Sequence, residues 1–425
     1  MDKKVLVITA IAFLFGFISG YMVKGDVGIG FPDRQAAVGK VGNVAPTPPK
    51  KPEKNEKSSL PAELSFGNLS AQNISKNPGS SIYPKVVKDS YGTLYAAWVE
   101  KNPGKYEINM KMKKPGSMEW ENVDTGGLYE GKIFSVDMAV DSKGVIHTAF
   151  RGKTEGEEDG YYAYYAKRGA EGWSKPENLS DGLDNVYAPL LLLDKDDNIH
   201  VTWNVYFGHN AAVYYMRNEG GKWGERELLS PKKNASDWLP SLFVDKNGGV
   251  HIVYHHSATV EGVEYRKRGK DGKWSEPVNI ASGTKFPALG RVVMDGKGAL
   301  HAFFLANAGS GEDIFYTSRE NGKWTKAAAI TTTGKRSNVE KVLLDSKGRL
   351  HLFWNELIGD DNHDIYYIRG ENGIWSEVVK LVETEADSLG YDIVLTDNDK
   401  IGLVWQEGTR RDSDIFYTEI GNGGN

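Results

Sequence analysis

The sequence contains no cysteine, which removes disulfides, thiolate metal sites and a cysteine nucleophile from consideration. It leaves the compartment open, because exported chains can fold without disulfides. Basic excess is also missing: 52 Lys and Arg face 57 Asp and Glu, for a net charge of −5. Phosphate neutralisation by Lys and Arg dominates nucleic-acid affinity, so no nucleic-acid partner is expected. Long apolar runs are absent with one exception, residues 5–23, which carry no charged side chain.

That run has the length needed to cross about 30 Å of hydrocarbon as a helix. Lys3 and Lys4 precede it and place the N-terminus in the cytoplasm. Residues 1–4 then read as a cytoplasmic tip and 5–23 as a transmembrane signal anchor. A cleaved signal peptide is the rival reading, but its apolar core is usually about 7–15 residues and ends in small residues. Here the run ends on Tyr21, Met22, Val23 and Lys24. Pro46, Pro48, Pro49 and Pro52 follow, set among Lys50, Lys51, Lys54 and Lys57. Such a stretch cannot bury enough apolar surface to fold, so residues 24–60 read as a linker. Residues 61–425 form the extracytoplasmic domain, periplasmic or extracellular.

Within that domain one unit recurs. Asp141, Gly144, His147 and Phe150 set the pattern, which returns with His200, His251, His301 and His351. Tyr95 opens the series and Gly402 closes it, so seven equivalent positions are spaced 50–53 residues apart. Each unit reads as four short strands, A to D. Asp-x-x-Gly is the A–B turn, where Gly supplies positive φ and Asp accepts from turn amides. Strand B carries the His and an aromatic residue. Strand C is a run such as Ile365, Tyr366 and Tyr367, and a Gly turn leads to a Trp that opens strand D. Four antiparallel strands per unit, seven times, specify an all-β, seven-bladed β-propeller. The last unit lacks strand D, and Gln72, Asn73, Ile74 and Ser75 match Glu177, Asn178, Leu179 and Ser180. The N-terminal strand therefore completes the seventh blade and closes the ring.

Repetition separates scaffold from site. The repeated His and Trp residues read as scaffold, and Asp194, Asp196 and Asn198 read as a turn rather than a calcium loop, so neither metal nor cofactor is expected. The A–B and C–D turns form a regular face; the B–C and D–A loops form an irregular one, where a site belongs. Directly after the strand B aromatic stand Arg151, Asn204, His255, Asn355 and Gln406, followed by His256, Glu356 and Glu407. Tyr187 and Trp238 start strand A near the same rim, with Tyr83, Phe134 and Phe286. Aromatic rings suit sugar CH faces and amides suit hydroxyls, while His255 and His256 are groups that can titrate near neutrality.

Gly322 and Trp324, preceded by Ser318 and Glu320, resemble a degenerate Asp-box, the repeat of the sialidase-like propeller superfamily. The resemblance spans about residues 68–420 as a repeat style. Sialidases hold a substrate carboxylate with three arginines, but the place matching the first reads Tyr83, Pro84, Lys85, so no catalytic residue is carried over. The expected function is binding of a glycan or protein ligand through the irregular face. The alternatives are a glycan-active hydrolase or lyase, which could draw on Glu100, Glu356, Glu407 and Asp412, and a scaffold subunit of an envelope complex.

Overall fold

The computed structural model describes residues 70–421, except 77–78, 127, 130, 155–159, 209, 231–234, 310, 336, 340, 359–361 and 410–411. The anchor and linker expected at 5–60 lie outside the described residues. The described chain forms seven antiparallel sheets. Strands A to C of blade 1 are Ser80–Lys88, Leu94–Asn102 and Lys105–Lys113. Those of blade 2 are Gly131–Val140, Ile146–Thr154 and Tyr162–Gly169, and of blade 3 Val186–Leu193, Ile199–Phe207 and Asn210–Glu219. Blade 4 has Ser236–Val244, Val250–Ser257 and Gly262–Arg268; blade 5 has Lys285–Met294, Leu300–Asn307 and Glu312–Glu320. Blade 6 splits strand A into Ser337–Asn338 and Val342–Leu344, before Leu350–Ile358 and Asn362–Glu371. Blade 7 has Ser388–Leu395, Ile401–Thr409 and Asp412–Ile420. Strand D is short throughout and often breaks after its Trp, as in Gly172–Trp173 and Glu177–Asn178 of blade 2. A serine or threonine sits at the break: the Ser174, Thr325 and Ser376 hydroxyls accept from strand C amides in place of a ladder carbonyl.

The ring closes through the N-terminal strand. Gln72 and Asn73 pair with Tyr417 and Phe416 of blade 7. The Ile74 amide donates to the Ile415 carbonyl at 2.8 Å, and the Ile415 amide donates to the Ser75 hydroxyl at 2.9 Å. Ser180, Ser230 and Thr331 make the same hydroxyl bond in blades 2, 3 and 5, so Ser75 occupies a true strand D position. Ile74, 2% exposed, packs with Val86, Trp98 and Tyr417 across the seam between blades 7 and 1.

The repeated histidines are scaffold. In blades 2 to 6 the histidine Nδ1 meets a strand C tyrosine hydroxyl at 2.7–2.8 Å, and Nε2 meets the turn aspartate at 3.1–3.4 Å. A carboxylate only accepts, so in blades 2, 3, 4 and 6 Nε2–H donates to it while the tyrosine donates to Nδ1; His301 Nε2 lies 3.3 Å from Asp295 without forming that bond. The other aspartate oxygen accepts the amides two and four residues on, as Asp141 does from Lys143 and Val145. Asp194 is engaged in the same way by Asp196 and Asn198, which accounts for its calcium-like spacing. The tyrosines of blades 2 to 5 then meet the strand D tryptophan of the next blade edge-on: Tyr165–Trp223, Tyr215–Trp274, Tyr265–Trp324 and Tyr316–Trp375 at 5.1 or 5.2 Å. Asp, His, Tyr and Trp thus tie a turn to its own blade and that blade to its neighbour.

Burial holds His200 neutral, pushing its pKa down to about 4, and lowers His147 and His251. A folded-state pKa below the unfolded value means that only the unfolded chain takes up the proton as pH falls from about 6.5 towards 4. Stability should fall across that window, with His200 alone contributing on the order of 3 kcal/mol. Denaturation midpoints at pH 7 and pH 4.5 measure this, and His200→Ala should flatten the pH dependence. At neutral pH the same change should cost about 1–3 kcal/mol by leaving Tyr215 and Asp194 short of a partner.

Strands A contact one another around the axis. Asp137 accepts the Leu191 amide of blade 3 at 2.8 Å, and Asp392 accepts the Val86 amide of blade 1 at 3.0 Å. Lys341 pairs with Asp392 at 3.0 Å. Burial raises the Asp137 carboxyl, with Lys85 acting against it.

Candidate functional site

Strand A does not run straight to the irregular face. Its register shifts at Ile82/Lys85, Ile133/Ser135, Tyr187/Leu190, Trp238/Ser241, Lys285/Ala288 and Leu389/Tyr391. Tyr83, Ala188, Leu239 and Phe286 take φ of 42–57° there. Bulky residues rarely adopt this backbone, and a bulge of this kind re-aims side chains. Pro84, Pro189 and Pro240 follow closely and have no amide hydrogen to strand. The bulge thus forms one level around the ring. Strand B answers it with Arg151, Asn204, His255, Asn355 and Gln406, cross-strand partners of Ser135, Tyr187, Trp238, Asn338 and Leu389.

At this level blades 1, 6 and 7 share one solution. Glu100, Glu356 and Glu407 accept the indole N–H of Trp98, Trp354 and Trp405 at 3.2, 3.3 and 2.8 Å. Ser81 and Ser388 also donate to Glu100 and Glu407. Asn355 donates to the Ser388 carbonyl across a blade boundary at 2.7 Å, and Gln406 is buried beside Gly390. The four candidates on blades 6 and 7 are therefore tied into the scaffold, and Glu356 is 1% exposed.

Blades 2 to 4 depart from that solution. Arg151 is 9% exposed and has no carboxylate partner among the described residues, and its Nε has no hydrogen-bond partner. Its guanidinium carbon lies 4.0 Å from the Tyr161 ring centre, 5.3 Å from Tyr187 and 5.5 Å from Phe134. Burial lowers its pKa, with the phenols of Tyr187 and Tyr161 acting against the shift. Tyr187 meets Tyr206 edge-on at 6.1 Å. Burial pushes Tyr187 up to about 12 and raises Tyr206, so both keep their protons at neutral pH.

The wall continues into blade 4. Asn204, fully buried, accepts the Leu239 amide at 3.4 Å. Trp238 is 3% exposed and stacks on His255 at 4.3 Å, so it packs the interior instead of offering a sugar platform. His255 is also buried, and burial pushes its pKa down to about 3. The expectation that both neighbouring histidines titrate near neutrality fails for it. His256 differs: its Nδ1 lies 2.6 Å from the buried Asp237 carboxylate, whose hydrogen bond raises its pKa, with Glu264 adding to the rise. Asp237 stands where blades 1, 6 and 7 have Ser81, Ser337 and Ser388. Tyr161, Tyr206 and Asp237 were not singled out in the sequence. Asp237 alone left a signal, as a carboxylate where three blades carry serine.

No family model matches the chain, and no curated protein sequence does. Among solved structures, an ulvan lyase aligns over 79% of this chain and 93% of its own, at 12% identity and TM-score 0.58. A second polysaccharide lyase aligns over 86% and 96%, at 10% identity and TM-score 0.54. A protein of unknown function from Dyadobacter fermentans aligns over 82% and 97%, at 15% identity and TM-score 0.51. The chain shares the fold of these propellers. At 10–15% identity the likeness shows the fold alone.

Proposed function

We propose that the irregular face of this ring binds an acidic glycan and cleaves it by β-elimination at a uronate residue. The observation that carries the reading is Arg151, a buried guanidinium walled by aromatic rings with no carboxylate partner among the described residues. A buried, unpaired charge costs several kcal/mol, and a planar guanidinium fork matches a ligand carboxylate. Clamping that carboxylate acidifies the adjacent C5–H. His256, oriented through Nδ1 by Asp237, would take the C5 proton at Nε2. The electron pair then forms the C4–C5 double bond as the C4–O bond breaks. Tyr187 or Tyr206, held protonated, would give the leaving oxygen its proton. Hydrolysis needs two free carboxylates about 5–10 Å apart, whereas Glu100, Glu356 and Glu407 are each engaged by a tryptophan. The fold is shared with two polysaccharide lyases, one of them solved with a glucuronic acid-containing ligand, GlcA(1-4)Rha3S, and this supports the same chemistry.

Incubating the protein with uronate-containing and neutral polysaccharides tests the reading. Products with an unsaturated, ultraviolet-absorbing terminal sugar are expected from the acidic ones alone. New reducing ends without unsaturation would point to hydrolysis, and binding without products to recognition only. The rate should rise as pH passes the His256 pKa, above the ordinary 6.5. Asp237→Asn should move that limb to lower pH, because it removes the charge that raises His256.

A further inference from the structure

We propose that the regular face of the ring is a docking surface for an anionic lipid bilayer, with Tyr91 and Met118 of blade 1 entering the headgroup layer. Three observations converge on it. The first is where the described chain begins. Gln72 pairs with Tyr417 and the Ser70 carbonyl lies beside Thr418, so the backbone runs outward toward Ile420, opposite Ile401 at the end of the A–B turn. That end belongs to the regular face. Upstream lie residues 24–69 and the uncharged run at 5–23. The proposal rests on that run acting as an anchor. If these residues act as the flexible linker their composition predicts, they reach about 40 Å, which would hold the ring close enough for a weak surface contact to matter.

The second observation is exposure. Met118 at 79% and Tyr91 at 72% are the most exposed of the large apolar side chains among the described residues. They sit on the C–D and A–B turns of blade 1, and these turns touch: a Cβ added to Gly92 would lie 3.2 Å from Pro115. The chain enters along the outer edge of blade 7, and Met118 shares a surface depression with Glu419 of that blade. Tyrosine and methionine with nearby lysines suit the boundary between headgroups and acyl chains.

The third is charge. Lys143, Lys195, Lys246, Lys297 and Lys347 occupy the tips of five successive A–B turns and are all exposed. The turns share one face, so the amines of Lys143, Lys246, Lys297 and Lys347 can meet one plane of phosphates, each worth about 1 kcal/mol near an anionic surface, while Lys195 is paired with Asp196 at 2.6 Å. Docking this way turns the Arg151 face outward, away from the bilayer.

The absence of cysteine makes the test direct. The full chain carrying Met118→Cys or Val260→Cys is labelled with an environment-sensitive dye and reconstituted in vesicles with or without phosphatidylglycerol. Val260 is 67% exposed in the blade 4 B–C loop, on the other face. The dye at 118 should shift to the blue and be quenched several-fold more than the dye at 260 by a headgroup spin label. The contrast should shrink in neutral vesicles or high salt. No shift at 118, a shift at 260, or a full chain that fails to float with vesicles would each overturn the proposal. Tyr91→Ser should reduce the quenching at 118, and an unchanged value would also count against it.

Discussion

A chain beginning at residue 61 should fold to the same stability as the full chain, whereas one beginning at residue 77 should lose on the order of 5 kcal/mol or fail to fold. The second removes buried Ile74, two ladder pairs and both donors to Asp414, Asn73 at 2.7 Å and Ser75 at 2.6 Å. It also exposes the edge of Asp412–Ile420, a row of unpaired backbone groups that invites association between copies. Denaturant midpoints and sedimentation measure both effects. Equal stability of the two truncations would mean that the ring holds without its closing strand, through contacts such as Asp392 with the Val86 amide.

Arg151→Ala should weaken binding of an acidic oligosaccharide about 10–150-fold, the equivalent of a charge-assisted interaction of about 1.5–3 kcal/mol. Its melting temperature should hold or rise, because the change removes a buried cation that has no carboxylate partner among the described residues. Arg151→Lys should recover little, since an ammonium lacks the planar fork. Lys143→Ala and Lys347→Ala, in turns of the opposite face, should leave glycan binding unchanged. A variant that binds normally but melts lower would make Arg151 a clamp for Phe134, Tyr161 and Tyr187 and nothing more. Calorimetric titration beside a melting curve separates the two outcomes.

The fold was legible because most blades repeat their turn chemistry: Asp for the amides, usually Gly for positive φ, then His, Tyr and Trp at fixed offsets. Blade count, closure and the scaffold role of His200 all followed from that repetition. The site was legible only as a level of the ring. Arg151, Asn204, His255, Asn355 and Gln406 do share that level, but their sequence positions do not tell which are engaged. Glu356 and Glu407 look as available as His256 until the indole two residues earlier is seen to hold each carboxylate. Tyr161 and Tyr206 reach Arg151 and Tyr187 through a B–C hairpin and an extended strand B, and such reach depends on three-dimensional register.

The most direct test of the central claim is a structure of the protein with an acidic oligosaccharide bound. The account predicts the uronate carboxylate on the Arg151 guanidinium, the sugar ring against Tyr161 or Tyr187, and C5 turned toward His256. A ligand seated on the regular face, or one that leaves Arg151 without an anion while engaging blades 6 and 7, would contradict it.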